Sequence, residues 1–248
     1  MKSLKKILTV AAFSAVFCSV LANDKPCDSM RIMPVTNEFH FISPGFAWIN
    51  VADFNNSLAA FRLSPFPQQA WMLSLGSHTE RGRWISEGIG TLRIWGDDLD
   101  SIYRASLYMG DFGCYSGVNV LPKNLPVNAY PYIGLHAGFS ALHIRDNEKT
   151  LSDLLTSIEP NSILWQVTGL FDLGLGSEFK SSDNKGGCAI GLRIGYLFDL
   201  YRNKRWMSDG VNVADLPSIT QSGPYVRLVL GGWDNHHDKK RACCSDSL

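Results

Sequence analysis

A few charged and phenolic side chains, set into glycine-rich alternating segments, carry the chemical potential of this chain. From Phe171 onward, Phe171, Leu173 and Leu175 alternate with Asp172, Gly174, Gly176 and Glu178. Further on, Ile190, Leu192, Ile194, Tyr196 and Phe198 alternate with Ala189, Gly191, Arg193, Gly195 and Leu197. Tyr225 and Arg227 oppose Val226, Leu228 and Leu230, and His136 sits between Gly134 and Gly138. A period of two puts each charge on the same strand face as the glycines. Charges withdrawn from bulk water need partners, so the expected chemistry is an internal salt-bridge network of Asp172, Glu178, Arg193 and Arg227, with Tyr225 and His136 beside it.

Other chemistries find less support. Hydrolysis needs a base within about 3 Å of its nucleophile. His136, Ser140 and His143 share one segment, but residues four apart on a strand face are about 13 Å apart, which rules out direct pairing of His136 with Ser140. The sequence has no Gly-x-Ser-x-Gly elbow, His-Glu-x-x-His helix or Walker loop, and no cofactor is expected. After the leader described below, cysteines stand at Cys27, Cys114, Cys188, Cys243 and Cys244, an odd number that leaves at least one thiol free or paired between chains in an oxidising compartment. His236, His237, Cys243 and Cys244 match no zinc spacing and read as a polar tail, so no metal site is expected.

The elements that position these residues follow from the same alternation. In a soluble sandwich the oily face turns inward and the outward face carries Lys, Glu, Thr and Ser rather than glycine. In a small transmembrane barrel the faces are reversed, so Ile190, Leu192, Ile194, Tyr196 and Phe198 are expected to face lipid and the glycine face to line the lumen. Lys2, Lys5 and Lys6, the apolar run Ile7 to Val20, and Val20-Leu21-Ala22 form an export signal over residues 1–22. After it, no apolar stretch is long enough for a helical span, so insertion must be by strands. With 23 basic and 23 acidic residues, nothing in the composition argues for nucleic acid.

Eight strands are predicted: Phe39 to Asn50, Ala70 to His78, Arg83 to Trp95, Ser101 to Gly117, Asn128 to Ile144, Ser162 to Phe179, Gly187 to Leu200 and Pro224 to Trp233. The expected fold is an all-β, antiparallel, up-and-down transmembrane barrel over residues 39–233, after an N-terminal segment 23–38 and before a tail 234–248. The connections alternate in length, apart from a tight turn at Gly96 to Asp100, as outer-membrane barrels alternate long outer loops with short periplasmic turns. Two long connections carry helical signals. Thr150-Leu151-Ser152-Asp153 resembles a capping box ahead of Leu151, Leu154, Leu155 and Ile158, and Asp53 is placed to cap a helix with Leu58 and Phe61. Trp71, Trp84, Trp95, Trp165, Trp206 and Trp233 fall near strand ends, as an interfacial girdle or as core residues.

The last third resembles a group of uncharacterised bacterial exported proteins described as outer-membrane β-barrel or porin-family proteins. The resemblance lies in Gly191, Leu192, Arg193, Gly195 and Tyr196, in Trp206, Asp209 and Gly210, and in Gly223, Pro224, Tyr225 and Arg227. It implies fold and location, with no activity attached. The expected role is a structural or surface-binding barrel in the outer membrane of a Gram-negative bacterium, with membrane lipid around it. A surface partner or polymer would meet the loops Val51 to Gln69, Arg145 to Asn161 and Tyr201 to Gly223. The alternatives are a narrow pore, a membrane-lipid hydrolase using His136 or His143, and a soluble periplasmic ligand-binding barrel.

Overall fold

The computed structural model describes residues 36–60, 64–95, 103–122, 125–146, 163–181, 186–208, 211–213 and 217–235. The expected export signal over residues 1–22, the helix expected from Thr150, the turn expected at Gly96 to Asp100, Asp209 and Gly210, Phe61, Cys27 and the cysteines and histidines of the tail lie outside the described residues.

Eight long strands form: β1 (Thr36–Trp48), β2 (Gln69–Arg81), β3 (Trp84–Ile94), β4 (Tyr103–Val118), β5 (Val127–Asp146), β6 (Ile163–Lys180), β7 (Gly186–Arg202) and, after two short strands, β10 (Gly223–Asn235). Each pairs antiparallel with the next along the chain, and β10 closes the ring by pairing with β7 and β1. The fold is a closed, eight-stranded, antiparallel up-and-down barrel. Closure gives every long strand two neighbours, which removes the unpaired edge an open sheet would present. The short strands β8 (Trp206–Ser208) and β9 (Val211–Val213) form a ribbon on β6 through the pair Trp165 and Met207.

The three longest connections, after β1, β5 and β7, lie at one end of the barrel, the long-loop end, and the two shortest, after β2 and β6, at the other, the short-turn end. β2 and β3 are joined through Gly82 and Arg83, and Gly82 has φ of 67°, a left-handed conformation that a side chain would strain. At the long-loop end, helix α1 (Ala52–Ala60) follows β1. Its capping side chain is Asn50, whose Oδ1 accepts the Ala52 N–H at 3.1 Å, and not Asp53, which falls in the first turn and there favours the helix dipole. Asn55 then pins the return path by exchanging two hydrogen bonds with the backbone of Phe66, at 2.8 and 2.9 Å. Val51, Phe54, Leu58 and Phe66 are buried in the mouth of the barrel, so the apolar stripe of α1 packs there.

The strand faces divide sharply. Along β7, Ile190, Leu192 and Ile194 are about half exposed outward while Arg193 is 1% exposed within. The glycines opposite those apolar residues have a steric reason. A Cβ on Gly195 would stand 2.6 Å from the Tyr225 hydroxyl, one on Gly174 2.4 Å from that of Tyr132, and one on Gly176 2.5 Å from the Tyr130 ring. The glycine face is the floor on which the interior tyrosines lie. Gly195→Val is therefore expected to destabilise the barrel by about 1–3 kcal/mol through overpacking. Urea unfolding of the refolded protein measures this; an unchanged midpoint would show that Tyr225 has room to move.

Candidate functional site

The lumen is filled by side chains in layers. At the short-turn end, Phe39, Phe41, Ile85, Ile89 and Val229 form one apolar cluster with Tyr115, Tyr130 and Tyr132. At the long-loop end, Trp95, Trp206, Met109, Leu142 and Ile219 form another with the residues of α1. Charged and phenolic groups thread between them.

All six predicted lumen residues, Asp172, Glu178, Arg193, Arg227, Tyr225 and His136, point into the barrel and are at most 4% exposed. The register splits them into two groups. Arg193 stands opposite Gly176 on β6, close to Glu178, while Asp172 stands opposite Leu197, four residues further along. Four residues are about 13 Å on a strand, so of these two carboxylates Glu178, and not Asp172, is within reach of Arg193. Arg193 instead bonds Glu178 Oε1 at 2.7 Å and, across the lumen, Glu87 Oε1 on β3. Its guanidinium also lies 4.7 Å from the centre of the Phe41 ring, a cation–π contact.

Asp172 is held by phenols. Its carboxylate accepts from the hydroxyls of Tyr115 and Tyr225, each at 2.8 Å, and Tyr132 donates to Tyr225 at 2.6 Å. Arg227 donates to Tyr115 at 3.0 Å and so reaches Asp172 through a tyrosine. On the other side, His136 Nδ1 bonds Asp111 Oδ1 at 2.8 Å, and Arg93 pairs with Asp111 Oδ2 at 2.7 Å. Arg93 also donates to the side chain of Gln221 at 3.1 Å, and Gln221 donates to Ser140 and to the Phe139 carbonyl. Gln221 comes from the long connection that precedes β10, so a loop of the long-loop end reaches into the barrel and joins its network.

Sequence reading missed His78, Glu80, Glu87, Arg93, Asp111, Tyr115, Tyr130 and Gln221. In β3, Glu87 and Arg93 share their face with Ile85 and Ile89, which blurs the contrast with the outward apolar set. Gln221 lies outside any strand and gave no periodic signal. At the short-turn end, His78 sits among three carboxylates: Glu80 at 3.3 Å, Glu87 at 3.6 Å and Glu178 at 3.8 Å. Glu80 is also bonded by Lys180 and, at 2.7 Å, by Asn128.

The remaining side chains separate by face. His143 stands on the outer face, opposite Ser106 in the register with β4. Trp71 and Trp84 are largely exposed, whereas Trp95 and Trp206 are buried in the mouth and donate their indole N–H groups to the carbonyls of Pro67 and Pro217, at 2.8 and 2.9 Å. Trp165 is half-buried, and the side chain of Trp233 is outside the described set. Cys188 is free and exposed, and Cys114 is disulfide-bonded.

No family model matches the chain, and no curated sequence matches it significantly. Solved structures similar to it include Neisserial surface protein A, with 8% identity and a TM-score of 0.42 over 80% of this chain and 96% of that one. Another is a major outer membrane protein from Thermus thermophilus, with 13% identity and a TM-score of 0.45 over 80% and 98%. A third is the attachment invasion locus protein of Yersinia pestis, with 9% identity and a TM-score of 0.39 over 82% and 97%. Likeness at this level carries no argument about role, and the fold assignment rests on the strand pairing of the chain itself.

The two halves of the network should respond differently to truncation. Arg193→Ala leaves Glu87 and Glu178 buried without their cation, at an expected cost of about 3–5 kcal/mol. Asp172→Asn keeps a hydrogen-bond acceptor for the two tyrosines and should cost less, about 1–3 kcal/mol. Equal losses in urea unfolding would contradict the assignment of Arg193 to the two glutamates.

Proposed function

We propose that this chain is an outer-membrane β-barrel with a closed lumen, whose role is structural or surface-binding through its long-loop end. The observation that carries this reading is the inversion of the barrel: charges and phenols are packed inside, and a continuous apolar belt is exposed outside. On β7 the belt runs from Ile190 to Leu200. At about 3.3 Å per residue that is roughly 33 Å of strand, which at a tilt near 40° projects to about 25 Å, the height of a lipid-facing band. Trp48 and Trp71 stand at its long-loop edge and Trp84 at the opposite edge, where interfacial aromatics belong. Ile190, Leu192, Ile194, Tyr196 and Phe198 are then lipid-facing, and the N-terminal basic and apolar run of the sequence is its export signal.

The same packing weighs against the other readings. A pore would need a water path past Arg193, Glu178 and Glu87 at one level and Tyr115, Asp172 and Tyr225 at the next, where each side chain is at most 6% exposed. A soluble ligand carrier would keep its outer face polar, whereas here the outward positions form a belt of exposed apolar residues. The hydrolase reading loses His136, which is buried against Asp111 and out of reach of a lipid substrate. The packing leaves a closed cylinder that presents α1 and the long loops, with His143 the one of the two candidate bases on its outer face.

Membrane fractionation of the expressed full-length chain tests this first. Recovery in the outer membrane, with gel migration that changes on boiling, is expected; a soluble periplasmic protein would overturn the reading. In planar bilayers the protein is expected to give no discrete conductance steps. Leu192→Lys should cost roughly 2–4 kcal/mol if Leu192 lies near the bilayer midplane, read as lost insertion in vesicle refolding. Normal insertion of that variant would mean that the faces are assigned backwards.

A further inference from the structure

The surroundings of His78 point to a ligand that none of the contacts above supplies. His78 is 2% exposed, yet neither ring nitrogen makes a hydrogen bond of proper geometry. Glu178 is fully buried, and its Oε2 has no donor either. Two of these unpaired atoms face one another, His78 Nε2 and Glu178 Oε2 at 3.8 Å, and Glu80 Oε1, which also accepts from Lys180 and Asn128, stands 3.3 Å from His78 Nε2. One ligand atom from each of the three residues fits within a 4.8 Å group. Buried polar atoms without partners are costly, and several aimed at one point call for a shared one.

We propose that His78, Glu80 and Glu178 bind a divalent transition metal of the zinc class at the short-turn end of the lumen. In a tetrahedral zinc site, bonds of about 2.0–2.1 Å set nitrogen and oxygen ligands about 3.4 Å apart, and the His78 contacts already approach that spacing. An imidazole among the ligands favours zinc and its neighbours over magnesium or calcium, which take oxygen. The supporting shell is in place. Glu87 Oε2 lies 3.6 Å from His78 Nδ1, on the side away from the proposed ion, the position from which a carboxylate orients a metal-bound histidine. Tyr130 and Arg193 hold the other oxygen of Glu178, and the Phe39 ring packs on the imidazole with centroids 4.7 Å apart.

Charge points the same way. Around His78, three carboxylates (Glu80, Glu87 and Glu178) face two fixed cations (Lys180 and Arg193), a surplus of negative charge. Glu80 and Lys180 each keep 14% of their side chains exposed at the rim, which gives the ion a way in from the short-turn opening. Lys180 competes for Glu80, so Lys180→Gln should tighten binding. The bound metal would tie β2 to β6 across the lumen, whether or not the barrel has the role proposed above.

The test uses the full-length protein, stripped with chelator in the phase from which it is recovered, with Zn²⁺ and Co²⁺ as probes. Expected are one zinc per chain by elemental analysis, a thermal unfolding midpoint that rises with zinc concentration, and visible absorption from bound cobalt. Glu80→Gln, at the rim, should weaken binding at least about tenfold while leaving the barrel folded, and His78→Ala should abolish it. Cys243→Ser with Cys244→Ser should change neither signal. Unfolding indifferent to zinc, with no cobalt spectrum, would overturn the proposal and leave a protonated His78 as the bridge between the carboxylates. Signals that follow the tail cysteines instead of Glu80 would overturn it as well.

Discussion

Closure of an eight-stranded ring is the constraint on which the rest of this structure depends. Pairing β10 with β1 satisfies the backbone of every long strand sideways and fixes the interior at a width that packed side chains just fill. Little inside can then be solvated by bulk water, so an interior polar group left without a partner is costly. Some pairs join neighbouring strands, as Arg93 on β3 does with Asp111 on β4, and others cross the lumen, as Arg193 on β7 does to Glu87 on β3. The glycines of β6 and β7 belong to the same constraint. Tyrosines from β5 and β10 can reach Asp172 and Glu178 only if they lie flat on strands that carry no side chain beneath them.

The two ends of the barrel are finished differently. The long-loop end is sealed by apolar burial: α1 and the segment before β10 insert Phe54, Leu58 and Ile219 against Trp95 and Trp206. Each buried indole N–H is satisfied by a loop carbonyl, so both tryptophans fasten a loop as well as fill space. Gln221 continues that fastening into the polar layer through Arg93 and Ser140. The short-turn end closes with charge: Glu80, Lys180, Asn128 and His78 meet where the apolar packing thins. Loops clamped at the mouth of a closed cylinder can differ in sequence without disturbing the strands.

The strands were legible because their faces contrast. In β7 a bulky apolar face opposes a glycine face, and the predicted span differs from the observed one by only a residue or two at either end. β4 was harder in principle, since Leu107 and Met109 on the inner face are as apolar as Tyr108 and Phe112 on the outer. Alternation reports which face a residue takes and nothing about its height around a tilted ring. That is why Arg193 could be placed in the lumen while its partner Glu87, 106 residues away, could not. The cap of α1 was misread for a local reason: Asp53 and Asn50 are both competent caps, and the choice depends on where β1 stops. Trp95 and Trp206 stood at element ends, where sequence cannot tell an interfacial ring from one folded into the mouth.

Height also explains why a costly charged interior can be kept where an apolar one would pack as well. A strand that slips by two residues in its pairing retains every inward and outward face, so alternation alone does not oppose the error. Such a slip in β7 would carry Arg193 about 6.6 Å along the barrel, out of contact with both Glu87 and Glu178, and would strand three buried charges. The same slip in β10 would draw Tyr225 away from Asp172 and Arg227 away from Tyr115. The paired charges therefore penalise the misfoldings that hydrophobic patterning permits. They act on the last strands of the chain, β6, β7 and β10, whose register decides whether the ring closes on β1 in a single way.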